Sequence, residues 1–151
     1  MRWVALAVAG TALIAGCGGS KHADAPTNAL LTGVHVDGKS VRFDFKSAPG
    51  TVKAAYQPKA RIVESGSGAP VPLKGKAYVV IHFVPAASAD VQGEKVILTY
   101  TGPRRLSGPG PVLETAKTSD FEADLAWAIG LEQRMPMRVA HDGTSVTVNF
   151  G

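Results

Sequence analysis

A single cysteine, Cys17, stands among 151 residues. Disulfide frameworks and cysteine-based zinc sites need thiols in pairs or fours, so neither holds this chain together. Charged residues amount to only 19% and no basic run exceeds two residues, which leaves a phosphate-tracking, nucleic-acid-binding surface without support. No apolar stretch reaches the ~20 residues that a permanent membrane helix requires. The four histidines, at positions 22, 35, 82 and 141, lack the i, i+4 or short-loop spacing of a metal site. Ser65-Gly66-Ser67-Gly68 lacks the G-x-S-x-G order of a nucleophile elbow and reads as a flexible turn. Asp120, Glu122 and Asp124 are spaced like part of a calcium loop, but Leu125 occupies the position where the sharp turn needs glycine. No catalytic residue, metal site or cofactor is indicated.

Turn-formers, by contrast, are plentiful: 17 Gly and 10 Pro. With 45% hydrophobic residues this length suits one globular domain, and the turn density favours many short strands over a helical bundle.

The first residues have their own logic. Met1-Arg2 is a positive start, Val4 to Ile14 is apolar apart from Gly10 and Thr11, and Ile14-Ala15-Gly16-Cys17 follows directly. Small residues at 15 and 16 suit a narrow peptidase groove, and the Cys17 thiol is placed to form a thioether to diacylglycerol. This pattern resembles the bacterial lipoprotein signal with its lipobox. It implies removal of residues 1–16, lipidation at Cys17, and a mature chain of 135 residues held at the extracytoplasmic face of the cell membrane. Two acyl chains are needed for stable anchoring, because each buried CH₂ contributes ~0.8 kcal/mol and one chain binds only marginally. From Cys17 onward 15 basic residues face 12 acidic ones, a small excess suited to a surface near anionic lipid or wall polymer. Residues 17–29, rich in Gly, Ser, Asp and Pro, read as a lipidated tether, and the folded domain is expected over 30–151.

From Leu30 the dominant period is two. Val41, Phe43 and Phe45 alternate with Arg42, Asp44 and Lys46, and Val34-His35-Val36 precedes them across Asp37-Gly38. That dipeptide tolerates positive φ at both turn positions and predicts a hairpin. Asp142-Gly143 predicts a second, between Met137/Val139 and Val146/Val148/Phe150. Strands are expected at Thr51–Tyr56, Val96–Tyr100 and Val112–Ala116, and a central strand covered on both faces at Tyr78–Val84. Asp120–Leu131 fits a helical stripe through Phe121, Leu125, Ala128 and Ile129. It also alternates Leu125, Trp127, Ile129 and Leu131 with Ala126, Ala128 and Gly130, which favours a strand after a short turn. The fold class expected is all-β: a β-sandwich or curved two-sheet fold of about eight short strands with at most one short helix.

The succession Val41-Arg42-Phe43-Asp44-Phe45, Gly66-Ser67-Gly68-Ala69-Pro70-Val71, Tyr100-Thr101-Gly102-Pro103-Arg104-Arg105-Leu106 and Asp120-Phe121-Glu122 leading into Leu125–Leu131 resembles the AMIN-like domain of actinobacterial lipoproteins. The likeness spans most of Leu30 to Gly151, although Asn149 stands where those domains carry an acidic residue near the end of the last strand. AMIN-like domains are distantly similar to AMIN domains, β-sandwich modules that localise envelope proteins by contact with peptidoglycan. The resemblance implies a non-catalytic cell-envelope binding module, with peptidoglycan or another anionic wall component as ligand. The alternative is a structural or assembly lipoprotein that binds an envelope protein through a sheet edge or apolar patch.

Four residues are candidates for ligand contact. Arg104 and Arg105 present two planar forks suited to carboxylates or phosphates, held after the Gly102-Pro103 turn. The plainer reading is that they cover a strand end. Tyr100 opens the same segment. Trp127 offers a platform for a sugar ring, or else fills the core as the largest residue of an alternating strand.

Overall fold

The computed structural model describes residues 27–151. The signal sequence, Cys17 and all but the end of the tether lie outside the described residues. Twelve strands form: β1 (Ala29–Val36), β2 (Ser40–Phe45), β3 (Thr51–Gln57), β4 (Ala77–Val84), β5 (Ala86–Ala87), β6 (Ala89–Gln92), β7 (Lys95–Leu98), β8 (Arg105–Ser107), β9 (Val112–Phe121), β10 (Asp124–Leu131), β11 (Met137–Asp142) and β12 (Ser145–Phe150). One 3₁₀ turn at Lys59–Arg61 is the sole helical element among the described residues. Two five-stranded sheets, ordered β11-β12-β2-β1-β5 and β3-β4-β10-β9-β8, make a β-sandwich, and β6-β7 stands apart as a two-stranded ribbon. The expected all-β sandwich is present, with twelve strands in place of about eight; β5, β6 and β8, of two to four residues, are too short to stand out in the sequence.

The core follows from the period of two. Val41, Phe43 and Phe45 of β2 and Val146, Val148 and Phe150 of β12 face inward, opposite Val79, Ile81 and Phe83 of β4 and Leu125, Trp127, Ile129 and Leu131 of β10. Phe83 joins the sheets, its ring centroid 5.0 Å from Phe43 and 4.9 Å from Phe45. Each such side chain contributes about 1.5–3 kcal/mol by leaving water. In β1 a register shift between Leu31 and Gly33 turns the strand, so Leu31 and Val34 are both buried despite their odd spacing.

The alternation of large and small in β10 has a second consequence. Ala126, Ala128 and Gly130 project to the other face, where Ile62, Val71, Leu73, Tyr78 and Ala116 form a smaller core with Ala128. The segment from Lys59 to Gly75 therefore lies across the outside of this sheet. Tyr78–Val84 is the central strand expected, but it is covered on both faces only near Tyr78, with His82 and Val84 of its outer face open to solvent; the strand buried on both faces is β10, and Asp120–Leu131 resolves as strand, turn, strand. The turn is Glu122-Ala123, both at positive φ (50° and 62°) without a glycine.

The two predicted hairpins are present, but the glycines act differently. Gly143 has positive φ (56°), whereas Gly38 does not. At the first turn Asp37 does the work: its carboxylate accepts from the backbone N–H of Lys39 and Ser40 and from the Ser40 hydroxyl, at 2.8, 2.8 and 2.7 Å. The Ser40 hydroxyl foremost, then the Lys39 N–H, hold the Asp37 carboxyl below its ordinary range. Gly38 is required instead by crowding, since a Cβ there would stand 2.8 Å from the Gly110 carbonyl oxygen.

Candidate functional site

Loops on the outer face of the β3-β4-β10-β9-β8 sheet frame a cleft of about 820 Å³ lined by Lys59, Pro70, Val71, Pro72, Leu73, Lys74, Arg105 and Glu114. Local sequence explains its wall. Two prolines in Pro70-Val71-Pro72 keep the chain extended, and Val71 and Leu73 anchor it by pointing into the smaller core. Val71 N–H donates to Ile62 O at 2.9 Å. The wall then presses on β10 at Gly130, where an added Cβ would fall 1.9 Å from the Lys74 carbonyl oxygen. Glycine at 130 is what lets the cleft wall close onto the sheet.

Glu114 is the buried carboxylate of the cleft. It accepts from Arg105 Nη1 and from the Lys74 backbone N–H, each at 2.9 Å. The same Arg105 nitrogen also reaches the Pro72 carbonyl at 2.6 Å. Arg105 thus clamps β8 and β9 to the cleft wall while leaving 40% of its side chain exposed. Arg104 points elsewhere, 69% exposed and 3.6 Å from Glu64 Oε1, a contact that water screens almost entirely. Adjacent residues at a strand entrance project to opposite sides. The two arginines are therefore not one fork. Arg104 is available to a ligand, whereas Arg105 is half committed to holding Glu114. Its loss leaves a buried carboxylate short of a donor at a cost of about 1–3 kcal/mol. Replacing both arginines is consequently not neutral to the fold, because Arg105 holds Glu114 and the Pro72 carbonyl.

Tyr100 and Trp127 sit beneath this surface. Trp127 is fully buried, edge-on to Phe43 at 5.9 Å and to Tyr100 at 5.7 Å, so its face is not open to a sugar. It fills the core, the plainer of its two readings. Tyr100 is also buried, and its hydroxyl donates to the Pro103 carbonyl at 2.8 Å. Burial raises its phenol above the ordinary value. The ring packs so closely under Gly102 that a Cβ there would stand 2.6 Å from the hydroxyl. Trp127, Tyr100 and the Gly102-Pro103 turn thereby form a continuous support from core to Arg104.

Lys59, Lys74 and Glu114 were not singled out in the sequence. Glu114 lay within the strand expected at Val112–Ala116, but a register shift decides its face: Val112 pairs with Leu131 toward the main core, whereas Glu114 and Ala116 pair with Gly130 and Ala128 on the outer side. Lys59 and Lys74 gave no signal, because only the fold of the loops brings them together.

Two other polar clusters show no catalytic arrangement. His35 Nε2 lies 2.8 Å from Asp44, and His82 Nδ1 2.9 Å from Asp124. Among the described residues neither imidazole is hydrogen-bonded to a hydroxyl or thiol, and no group of three His, Cys, Asp or Glu side chains is close enough to hold a metal ion. No helix among them is long and apolar enough to cross a membrane.

A family model described as the AMIN-like domain matches residues 27–148, most of the chain and nearly all of the described β-sandwich. No curated protein and no solved structure matches.

Proposed function

The chain belongs to the AMIN-like domain family, and from that premise we propose that it is a lipid-anchored, non-catalytic module of the bacterial cell envelope that binds an anionic wall component, peptidoglycan foremost. The observation that carries this reading is the cleft itself. Its apolar lining is chiefly the exposed rings of Pro70 and Pro72, held in place by the buried Val71 and Leu73, while Lys59 and Lys74 supply positive charge that no acidic side chain of the described residues pairs within ion-pair distance. Such a site suits a ligand that offers methyl groups to the floor and carboxylates or phosphates to the rim, the chemistry of peptidoglycan stem peptides. Arg104 lies outside the cleft lining, beside Glu64, and adds positive charge to the neighbouring surface.

The anchor supports the same reading. Lipidation at Cys17 would hold the domain at the outer face of the membrane, facing the wall. Sedimentation with purified sacculi tests the proposal. Wild-type protein should pellet with wall material in a salt-sensitive manner. The triple variant Lys59→Ala, Lys74→Ala, Arg104→Ala should fold normally and remain in the supernatant. Retention of that variant at wild-type level, with the same salt response, overturns the assignment of the cleft.

A further inference from the structure

Both faces of the β6-β7 ribbon are exposed along most of its length, and one of them is wholly apolar. Its register pairs Ala89 with Leu98 and Val91 with Val96, so these four side chains share a face, while Asp90, Gln92, Lys95 and Ile97 share the other. The first face is wholly apolar, yet Val91 is 67% exposed and Val96 and Leu98 are each 64% exposed. Phe121, 62% exposed, lies one residue past the carboxylate that holds the base of the ribbon. Apolar side chains gathered so openly on one face mark a surface meant to be covered.

The ribbon is firmly mounted. Asp120 accepts from the Ser88 backbone N–H at 3.1 Å and from the Ser88 hydroxyl, and Lys117 Nζ donates to both Ser88 Oγ and Asp120 at 2.9 Å. Thr99 N–H closes the stem on Ser88 O at 3.0 Å.

The place where the chain enters the domain identifies what covers it. Thr27, Asn28 and Leu30 line the same cleft as Ala89, Asp90 and Val91, and Ala29 pairs with Ala86 just before the ribbon. Nine residues lie between Cys17 and Thr27, a span of at most ~36 Å. A lipid on Cys17 therefore confines this end of the sandwich, and the ribbon beside it, to within about 36 Å of the bilayer. Four residues of strand extend the ribbon about 10–13 Å from its stem, enough to reach through headgroups.

We propose that the apolar face of β6-β7 docks on the lipid surface, a second contact that orients the domain and turns the binding cleft toward the wall. This inference rests on the lipid anchor at Cys17. The effective concentration imposed by the anchor makes an otherwise weak apolar contact persistent. Asp90, Glu94 and Lys95 carry no net positive charge, so the contact is apolar and does not depend on anionic lipid.

The test uses the full lipidated chain in phosphatidylcholine vesicles. Acylation blocks Cys17, so in Val96→Cys or Leu98→Cys the introduced thiol alone takes an environment-sensitive fluorophore. Lys39→Cys, at the far end of β1, is the control. A doxyl lipid should quench the labels at 96 and 98 at least threefold more than that at 39, with or without added phosphatidylglycerol. Equal quenching at all three sites overturns the proposal, as does protection of the ribbon by a second copy or another protein without lipid quenching. Labelling of the parent chain itself would mean a free Cys17. That outcome removes the anchor and is thereby separate from failure of the ribbon to dock.

Discussion

Gly130→Ala is the smallest change that strikes the cleft from behind. The added methyl would lie 1.9 Å from the Lys74 carbonyl oxygen and 3.2 Å from Leu73 Cγ, whereas real Cβ contacts essentially never fall below 3.0 Å. The cleft wall would have to retreat by at least 1.1 Å. The Lys74 N–H to Glu114 bond, now 2.9 Å, would open to about 4 Å and be lost. The Lys76 N–H to Leu131 O bond at 2.8 Å is strained by the same movement. Losing a hydrogen bond to a buried carboxylate costs ~1.5–3 kcal/mol, and overpacking typically costs ~1–3 kcal/mol. These are two views of one displacement and do not add fully, so the expected destabilisation is about 2–4 kcal/mol. Urea unfolding should show it as a lower midpoint with an unchanged slope. Amide exchange should show faster opening at Lys74 and Lys76 than in the central strands. An unfolding free energy within ~0.5 kcal/mol of wild type, with both amides still protected, would refute the view that Gly130 is required by the approach of the wall.

Other consequences follow from the same contacts. Trp127→Ala should destabilise by ~3–5 kcal/mol in urea unfolding, as expected of a buried ring and far more than an exposed sugar platform would. Gly38→Val should destabilise by ~1–3 kcal/mol through its clash with Gly110, and Gly38→Ala should already show part of that cost, because the obstacle is space and not φ. Burial raises the Asp120 carboxyl, but hydrogen bonds from Ser88 and Lys117 outweigh it and leave the group below 3.8. The stabilisation from Asp120 is therefore fully present above that value and is lost as pH falls through the lower folded value. The unfolding midpoint of Asp120→Asn should fall less steeply than wild type below pH ~4, with the difference in exchange confined to Ser88 and the ribbon.

Much of the scaffold could be read from sequence because its cause is local. Val41, Phe43 and Phe45 alternate wherever they are placed, and Asp142-Gly143 favours a tight turn on its own. Leu125, Trp127, Ile129 and Leu131 show their strand through the small residues between them, which also foretell a second covered face. The cleft was less legible because its cause is not local. Lys59, Lys74 and Arg105 converge only after Val71 and Leu73 pack on β10 and Glu114 is buried between them. Arg104 and Arg105 look equivalent in sequence, yet the strand geometry sends one to Glu64 and the other to Glu114. The β6-β7 ribbon escaped notice in part because Ala89–Gln92 mixes small, acidic and amide side chains. Four residues are too few for their alternation to be distinguished from chance, and pairing with Lys95–Leu98 is what extends the Ala89/Val91 side into an apolar face.

An anionic wall component is expected to bind in the cleft between the Pro70–Lys74 wall and Arg105. The most direct test is titration of the ¹⁵N-labelled protein with a soluble disaccharide-peptide fragment of peptidoglycan, followed by amide chemical shifts. Saturable changes should concentrate at Lys59, Val71, Leu73, Lys74, Arg104 and Arg105, with β11 and β12 unmoved. Absence of saturable change at millimolar fragment, or changes centred on the β11 edge or the β6-β7 ribbon, would contradict it.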